Sequence, residues 1–139
     1  MMQEVLISDN LERDLAHAID VCAPDKLFVL TDITAGEHCW PKIEGFDCVK
    51  GAKLITIPST DEHKNIATLS MVWEMLSEQE GTRRSCLINL GGGMVTDLGG
   101  FAAATFKRGI SFINIPTTLL AMVDAAVGGK TGINFNGLK

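Results

Sequence analysis

Gly91, Gly92 and Gly93 follow an apolar run over residues 86–90 and open a small-residue stretch that reads as a helix up to Arg108 and Gly109. A strand, a turn without Cβ atoms and a helix start bring backbone N–H groups against an anion, above all a phosphate. The spacing is G-x-G-x-x-T across Gly91, Gly93 and Thr96. The ordinary dinucleotide fingerprint has glycine or alanine at the last position and an acidic residue after the next strand. Here that strand ends Asn114-Ile115-Pro116, with no acid. No Gly-Lys-Ser/Thr follows at the required spacing, so the turn is not a P-loop. A tight strand-to-helix turn without a ligand is the plain alternative.

Charged residues stand at the ends of the neighbouring elements. Asp97, one turn into the helix, suits either the helix dipole or a ribose hydroxyl. Asp32 follows the second strand, where a carboxylate binds a ribose diol or simply caps a helix. Asp61-Glu62-His63-Lys64 opens a long helix with a lysine able to reach a phosphate or carbonyl; a solvated helix start is the alternative. Thr117-Thr118 stands at a further helix start. Asp124 is a lone acid between Val123 and Ala125 in an apolar helix, a position that calls for a partner or ligand. Lys130 lies between Gly128-Gly129 and Thr131-Gly132, a poor place for a structural lysine. Lys107-Arg108 ends a helix, where cations are expected, and Arg108 has the reach for an anionic substrate.

The elements that must position these groups alternate. Residues 5–7 read as a short strand, and Asn10 as the cap of a helix with Leu11, Leu15, Ala18 and Ile19 along one stripe. Residues 26–31 form a strand. Gly36 and Pro41 predict a short or broken helix near residues 37–43. Residues 54–57 form a strand closed by Pro58, and residues 65–79 carry Ile66, Leu69, Trp73 and Leu76 at helical spacing, ended by Gly81. Strands over 86–90 and 110–115, each followed by a helix, complete an α/β pattern: a parallel sheet with helices on both faces. The wholly apolar strands agree, since both sheet faces would be covered. Two helix starts then share one sheet edge, where α/β proteins bind nucleotides. Residues 128–132 read as a glycine-rich turn.

Composition narrows the class. The 139 residues are 46% apolar and 21% charged, which predicts one globular domain. A net charge of −5 argues against a nucleic-acid surface. No apolar run approaches the ~20 residues of a membrane span. Glu4 and Asp9 do not suit a signal peptide, and the expected compartment is the cytoplasm. Cys22, Cys39, Cys48 and Cys86 match neither a disulfide framework nor a zinc site, and read as reduced small hydrophobes. His38-Cys39 are adjacent and therefore diverge, against a shared metal. Candidate site residues lie within the last ten positions with no closing element after them, so the expectation is part of a larger protein.

Together, GGGMVTDLGGFAAATFKRGI (91–110), PTTLLAMVDAAVGGKTGIN (116–134), Leu30-Thr31-Asp32 and Asp61-Glu62-His63-Lys64 resemble the 3-dehydroquinate synthase family of sugar-phosphate cyclases in order and spacing. The resemblance covers the whole chain and less than half of the family's length. It implies a single N-terminal, NAD-binding domain over residues 1–139: a Rossmann-like parallel sheet flanked by helices, ahead of an α-helical C-terminal metal-binding domain. The implied reaction converts 3-deoxy-D-arabino-heptulosonate 7-phosphate to 3-dehydroquinate and phosphate, in the shikimate pathway. NAD⁺ oxidises one alcohol, the ketone acidifies the neighbouring C–H, phosphate leaves, the hydride returns, and an aldol closes the ring. Zinc or cobalt polarises the oxidised alcohol.

The resemblance also implies residue roles. Asp32 would hold the adenosine ribose, and Asp61, Glu62 and Lys64 the cofactor. Gly92, Gly93, Met94, Val95 and Thr96 would cradle the pyrophosphate, with Asp97 on a ribose. Thr117 and Thr118 would bond the cofactor, and Lys139 would stand at the nicotinamide side. Asp124 and Lys130 would face the substrate, and Arg108 would reach its carboxylate across a homodimer interface. Thr34 and Thr96 depart from a frequent asparagine and a frequent glycine. The family's metal-binding glutamate and two histidines lie beyond residue 139, and His17, His38 and His63 do not match their positions, so the fragment alone is expected to be inactive. Other readings are a cyclase for a sedoheptulose or hexose phosphate, an iron-dependent alcohol dehydrogenase, disfavoured by residues 124–130, and a non-catalytic nucleotide-binding module.

Overall fold

Asn10 starts the first helix as its chemistry dictates: extended itself, it accepts the Arg13 N–H on its side chain at 3.0 Å. This is a computed structural model, and it describes residues 2–8, 10–59, 66–116 and 131–137. Helix α1 (Leu11–Cys22) follows strand β1 (Met2–Ser8). Strand β2 (Leu27–Asp32) runs directly into a short helix α2 (Ile33–His38). Two 3-10 turns, Trp40–Lys42 and Asp47–Val49, lead to β3 (Lys53–Ile57). The broken helix expected near Pro41 is therefore present, but it begins four residues before residue 37, because Asp32 caps it. Helix α3 (Ile66–Glu78), β4 (Cys86–Gly91), α4 (Gly93–Thr105), a 3-10 turn at Phe106–Arg108 and β5 (Ser111–Pro116) come next. Strand β6 (Thr131–Gly137) begins where a glycine-rich turn was expected. Ile133 and Phe135 alternate with polar neighbours there, a period-2 signal too short to outweigh the glycines.

The sheet order is β1-β6-β5-β4-β2-β3. Strand β2 pairs in parallel with β3 and β4, and β4 in parallel with β5. Strand β6 is antiparallel to both β5 and β1, so it alone runs against the rest. The expected parallel sheet is thus a four-stranded parallel core extended by two strands. On one face α3 and α4 bury Leu69, Val72, Val95, Leu98 and Ala102 against Phe28, Leu30 and Leu87. On the other, Leu15 and Ala18 of α1 pack on Val29, Ile88 and Ile113, with Ile43 and Val49 beside them. Both faces carry helices, as the alternation predicted. Strand β4, in the middle, is buried along its whole length. In strand β5, Ser111, Ile113 and Ile115 are buried, and Phe112, Asn114 and Pro116 are half-buried, Phe112 against the α3–α4 side.

Helix α3 corrects one expected stripe. Ile66 is 72% exposed, and Thr68 and Val72 take the inward positions with Leu69 and Leu76. The helix ends in a paired 6→1 and 5→2 closure, with Gly81 N–H to Leu76 O at 2.7 Å and Glu80 N–H to Ser77 O at 3.0 Å. The left-handed residue is Glu80, not Gly81. Gly81 is needed for another reason: a Cβ there would sit 2.8 Å from the Leu76 carbonyl. Trp73 Nε1–H donates to Thr105 Oγ1 at 3.1 Å and ties α3 to α4. Among the described residues no helix is long and apolar enough to cross a membrane.

At the amino ends of the parallel strands, Asp25 gathers the loop that enters β4. Its carboxylate accepts from the Thr82 hydroxyl and from Ser85 Oγ–H at 3.0 Å, and its N–H donates to Arg84 O at 3.1 Å. The Thr82 hydroxyl, against a smaller opposing desolvation, and then Ser85 hold the Asp25 carboxyl below the usual range. A depressed folded-state pKa contributes stability above the unfolded-state pKa, and that contribution fades as pH falls through the folded one. Asp25→Ala should therefore cost about 1 kcal/mol at neutral pH, a small figure because the group is exposed. Thermal melts should show the gap to wild type closing as the pH drops below the carboxylate range.

Candidate functional site

Two strands that leave the sheet in opposite directions frame the site. The chain goes from β2 outward to β3 on one side, and from β4 to β5 on the other. Helix α4, after β4, packs on one face, and the turns after β2 contribute Ile43 and Val49 to the other. The exits of β2 and β4 thus diverge between adjacent strands, which opens a crevice at the carboxyl edge, the switch point of an α/β sheet. Thr31 pairs with Leu90, so Asp32 and Gly91 are the next residues on either side, with strands about 5 Å apart.

Gly92 is the N-cap of α4, with φ −80° and ψ −168° and no side-chain cap. The first intrahelical bond from this turn is Thr96 N–H to Gly92 O at 3.1 Å. The N–H groups of Gly93, Met94 and Val95 precede it, and no capping side chain closes over them. The three glycines differ in kind. A Cβ on Gly91 would lie 2.6 Å from Val95 Cγ2, so the fold itself excludes it. A Cβ on Gly92 or Gly93 would meet no described atom within 4 Å, and φ is not positive at either. Neither packing nor backbone conformation demands glycine at those two positions, and the open space above them admits a close-approaching ligand. Further along α4 a Cβ on Gly99 would overlap the Asn89 side chain, which donates through Nδ2 to Asn114 Oδ1 at 2.9 Å. This amide pair, with Asn89 buried and Asn114 half-buried, braces β4 against β5 below the crevice.

Several expected site residues meet at this edge. Asp32 caps α2, accepting the Ala35 N–H at 2.7 Å, so the capping alternative is real and occupies one oxygen. Thr34 departs from the expected asparagine, and its N–H and hydroxyl bond Ser59 Oγ at 3.0 and 3.1 Å, linking the exits of β2 and β3. Met94 is partly buried, and Val95 is fully buried, so Val95 faces the crevice only through its backbone. Thr96 in place of glycine is absorbed without strain: its hydroxyl back-bonds to the Gly92 and Gly93 carbonyls at 3.3 and 3.2 Å. Asp97 is exposed on the following turn. Asp61, Glu62, Lys64, Thr117, Thr118, Asp124, Lys130 and Lys139 lie outside the described residues. Pro116, which precedes Thr117, pairs with Gly91.

Arg108 is not brought to that edge. Helix α4 carries the chain away for 13 residues, about 20 Å, before Arg108 appears at the amino edge. Lys107 and Arg108 are both left-handed, with φ 48° and 71°, a conformation that costs non-glycine residues energy. Three surface cavities lined by described residues, of about 460 to 480 Å³, open at the amino edge. Uncapped N–H groups and diverging strand exits are found at the carboxyl edge instead. Among the described residues no three His, Cys, Asp or Glu side chains gather as a metal site.

The family model described as 3-dehydroquinate synthase N-terminal matches residues 54–139. The chain belongs to the 3-dehydroquinate synthase family. Curated 3-dehydroquinate synthases include that of Parabacteroides distasonis, 50% identical over 137 residues, covering 99% of this chain and 39% of that protein. That of Corynebacterium pseudotuberculosis is 42% identical over 132 residues, covering 94% of this chain and 37% of that protein. The chain thus spans about two fifths of the length of these relatives. Among solved structures, 2-deoxy-scyllo-inosose synthase superposes with a TM-score of 0.69 at 21% identity, over 78% of this chain and 31% of that one. The same enzyme complexed with carbaglucose-6-phosphate, NAD⁺ and Co²⁺ gives 0.64 at 19%, over 78% and 30%. The 2-epi-5-epi-valiolone synthase of Streptomyces hygroscopicus, with NAD⁺ and Zn²⁺ bound, gives 0.58 at 23%, over 76% and 30%. At these identities the structural likeness concerns the fold.

The family's glycine turn therefore contains positions under two different pressures. Gly91→Ala and Gly99→Ala should each cost roughly 1–3 kcal/mol through overlap with Val95 and Asn89. Gly92→Ala and Gly93→Ala should leave stability within about 0.5 kcal/mol of wild type. Denaturant melts of the four variants check this.

Proposed function

We propose that this chain is the cofactor-binding part of a 3-dehydroquinate synthase, acting in the cytoplasm on 3-deoxy-D-arabino-heptulosonate 7-phosphate. The observation that carries the reading is the crevice between Asp32 and the uncapped start of α4, with space above Gly92 and Gly93 that no described residue fills. That space fits a pyrophosphate: three converging N–H groups and the positive end of a 13-residue helix receive the charge. The free oxygen of Asp32 accepts from a ribose hydroxyl at the neighbouring strand exit. Asp97 takes the other ribose, and Thr117, Thr118, Asp61, Glu62 and Lys64 complete the hold on the cofactor. In the full-length protein NAD⁺ supplies the hydride acceptor, and zinc or cobalt, held by ligands after residue 139, the Lewis acid.

Asp124 and Lys130 face the substrate, and Lys139 stands toward the nicotinamide. Lys130 is a point charge for a phosphate or carboxylate oxygen. Arg108, at the amino edge, serves the site of a second copy in a homodimer. The choice of substrate rests on curated relatives at 42% and 50% identity, against 21% for 2-deoxy-scyllo-inosose synthase.

Titration calorimetry should find that Gly93→Val abolishes NAD⁺ binding while folding is retained, because the added side chain projects into the ligand's space. Unchanged affinity would move the cofactor elsewhere. In the full-length protein, Lys130→Ala should lower kcat/KM about 30-fold or more, equivalent to roughly 2 kcal/mol of lost transition-state binding, with Tm near wild type. Near-normal kcat/KM would return Lys130 to a solvated loop. The 139-residue polypeptide alone should release no phosphate from the substrate above a heat-killed control, even with NAD⁺ and metal.

A further inference from the structure

Four cysteines that look alike in the sequence are not alike in the fold. Helix α1 lays Leu15 and Ala18 on the sheet, and Cys22, four residues after Ala18 and last in the helix, continues that inward stripe. The face it meets carries Cys86, Ile88 and Leu90, the alternate residues of β4. Cys86 is the first residue of β4, and its N–H bonds Lys26 O at 3.0 Å, which brings the start of β4 beside the chain leaving α1. The stripe and the face therefore converge on two thiols: Cys22 packs against the buried cluster that contains Cys86, and the two side chains interact.

Their surroundings divide the labour. Cys86 is fully buried, and contact with Cys22 together with burial drives its pKa far up, so it stays a thiol and donates. Cys22 is half-exposed and lines a cavity of about 460 Å³ with Arg83, Arg84 and Ser111. The Cys86 contact, against opposing desolvation, and then the Ser111 hydroxyl lower its pKa. The carbonyl end of α1 works against a thiolate there. The two hydrogen-bond partners offset it, and Arg83 and Arg84 line the same cavity. Cys39 and Cys48, by contrast, have pKa values raised by burial. A reachable sulfur with donors around it, backed by a second thiol in contact, is the arrangement of a redox-sensing pair.

We propose that Cys22 and Cys86 form a peroxide-responsive dithiol, with Cys22 the sulfur attacked from the arginine-lined cavity and Cys86 the resolving thiol. Cys22 thiolate attacks one peroxide oxygen; the O–O bond breaks, the leaving hydroxide takes a proton to become water, and Cys22 becomes a sulfenic acid. Cys86 sulfur then displaces that hydroxyl, its proton leaving with it as a second water, and an S–S bond forms. Two thiols lose two electrons in all, and one peroxide is reduced to two waters. The bond fastens the end of α1 to the start of β4, at the opposite end of β4 from the glycine turn.

The wild-type chain itself provides the test. Hydrogen peroxide is added near stoichiometry at neutral pH, residual thiols are blocked with N-ethylmaleimide, and an unreduced digest is mapped by mass. The expected product joins the Cys22 and Cys86 peptides, leaves Cys39 and Cys48 alkylated, and returns to four thiols with dithiothreitol. Cys22 in the reduced protein should alkylate at least about tenfold faster than Cys48. With Cys86→Ser, the cross-link should vanish and dimedone should label Cys22. Cross-links through Cys39 or Cys48, equal oxidation of all four cysteines, or persistence of all four thiols would overturn the proposal.

Discussion

Everything at the carboxyl edge depends on how closely α4 lies on β4. The approach sets backbone against side chain: a Cβ at Gly91 would strike the Val95 side chain, and one at Gly99 would overlap that of Asn89. Val95, Leu98, Ala102 and Ala103 then fill the gap between helix and sheet with short side chains. That distance determines where the first turn of α4 ends up. It leaves three N–H groups facing outward at the strand exit, with no side chain to cap them. The Asn89–Asn114 bond, in the middle of the sheet, holds the neighbouring strand in step with the same helix. Asn114 takes the Asn89 Nδ2–H, while the buried Asn89 Oδ1 is left without a hydrogen-bond partner among the described residues.

Sheet order does the rest. Because β4 lies beside β2 and not beside β3, two strand exits diverge and the crevice opens between them. The right-handed rule for parallel crossovers sends α3 and α4 over one face and the β2–β3 connection over the other. Strand β6 enters between β5 and β1 in the reverse sense, so β1 no longer offers the parallel core an edge of its own. The open geometry of this glycine turn is thus a consequence of strand order as much as of glycine content.

The amino edge has a different character. Asp25, Thr82 and Ser85 clamp the loop into β4, Lys26 Nζ–H donates to Glu80 O at 2.8 Å, and Lys107 and Arg108 turn left-handed out of α4. Cations, cavities and the thiol pair all lie there, about one helix length from the glycine turn. One chain therefore carries two chemically distinct ends, and Arg108 belongs to the one that its place in a glycine-turn motif would not suggest.

Local signals were legible in the sequence because their physics is local. Asn10 caps whatever helix follows it, a strand running into three glycines makes a turn, and Leu69 and Leu76 repeat at helical spacing however the rest packs. The alternation of strands and helices, and with it the α/β class, came from such signals added along the chain. Tertiary structure decided what depends on distant partners. Ile66 fits the helical period yet faces solvent, since the sheet receives Thr68 and Val72 instead. Strand β6 exists because β5 and β1 offer unpaired edges, which its own glycine-rich sequence does not announce. Asp32 became a cap because the chain bends into α2 at once. Cys22 and Cys86 meet only because α1 packs on the sheet face that carries Cys86, and no spacing between them encodes that. Propensity and periodicity act over a few residues, whereas register, face and proximity are set by which surfaces bury one another, and only the folded chain makes that choice.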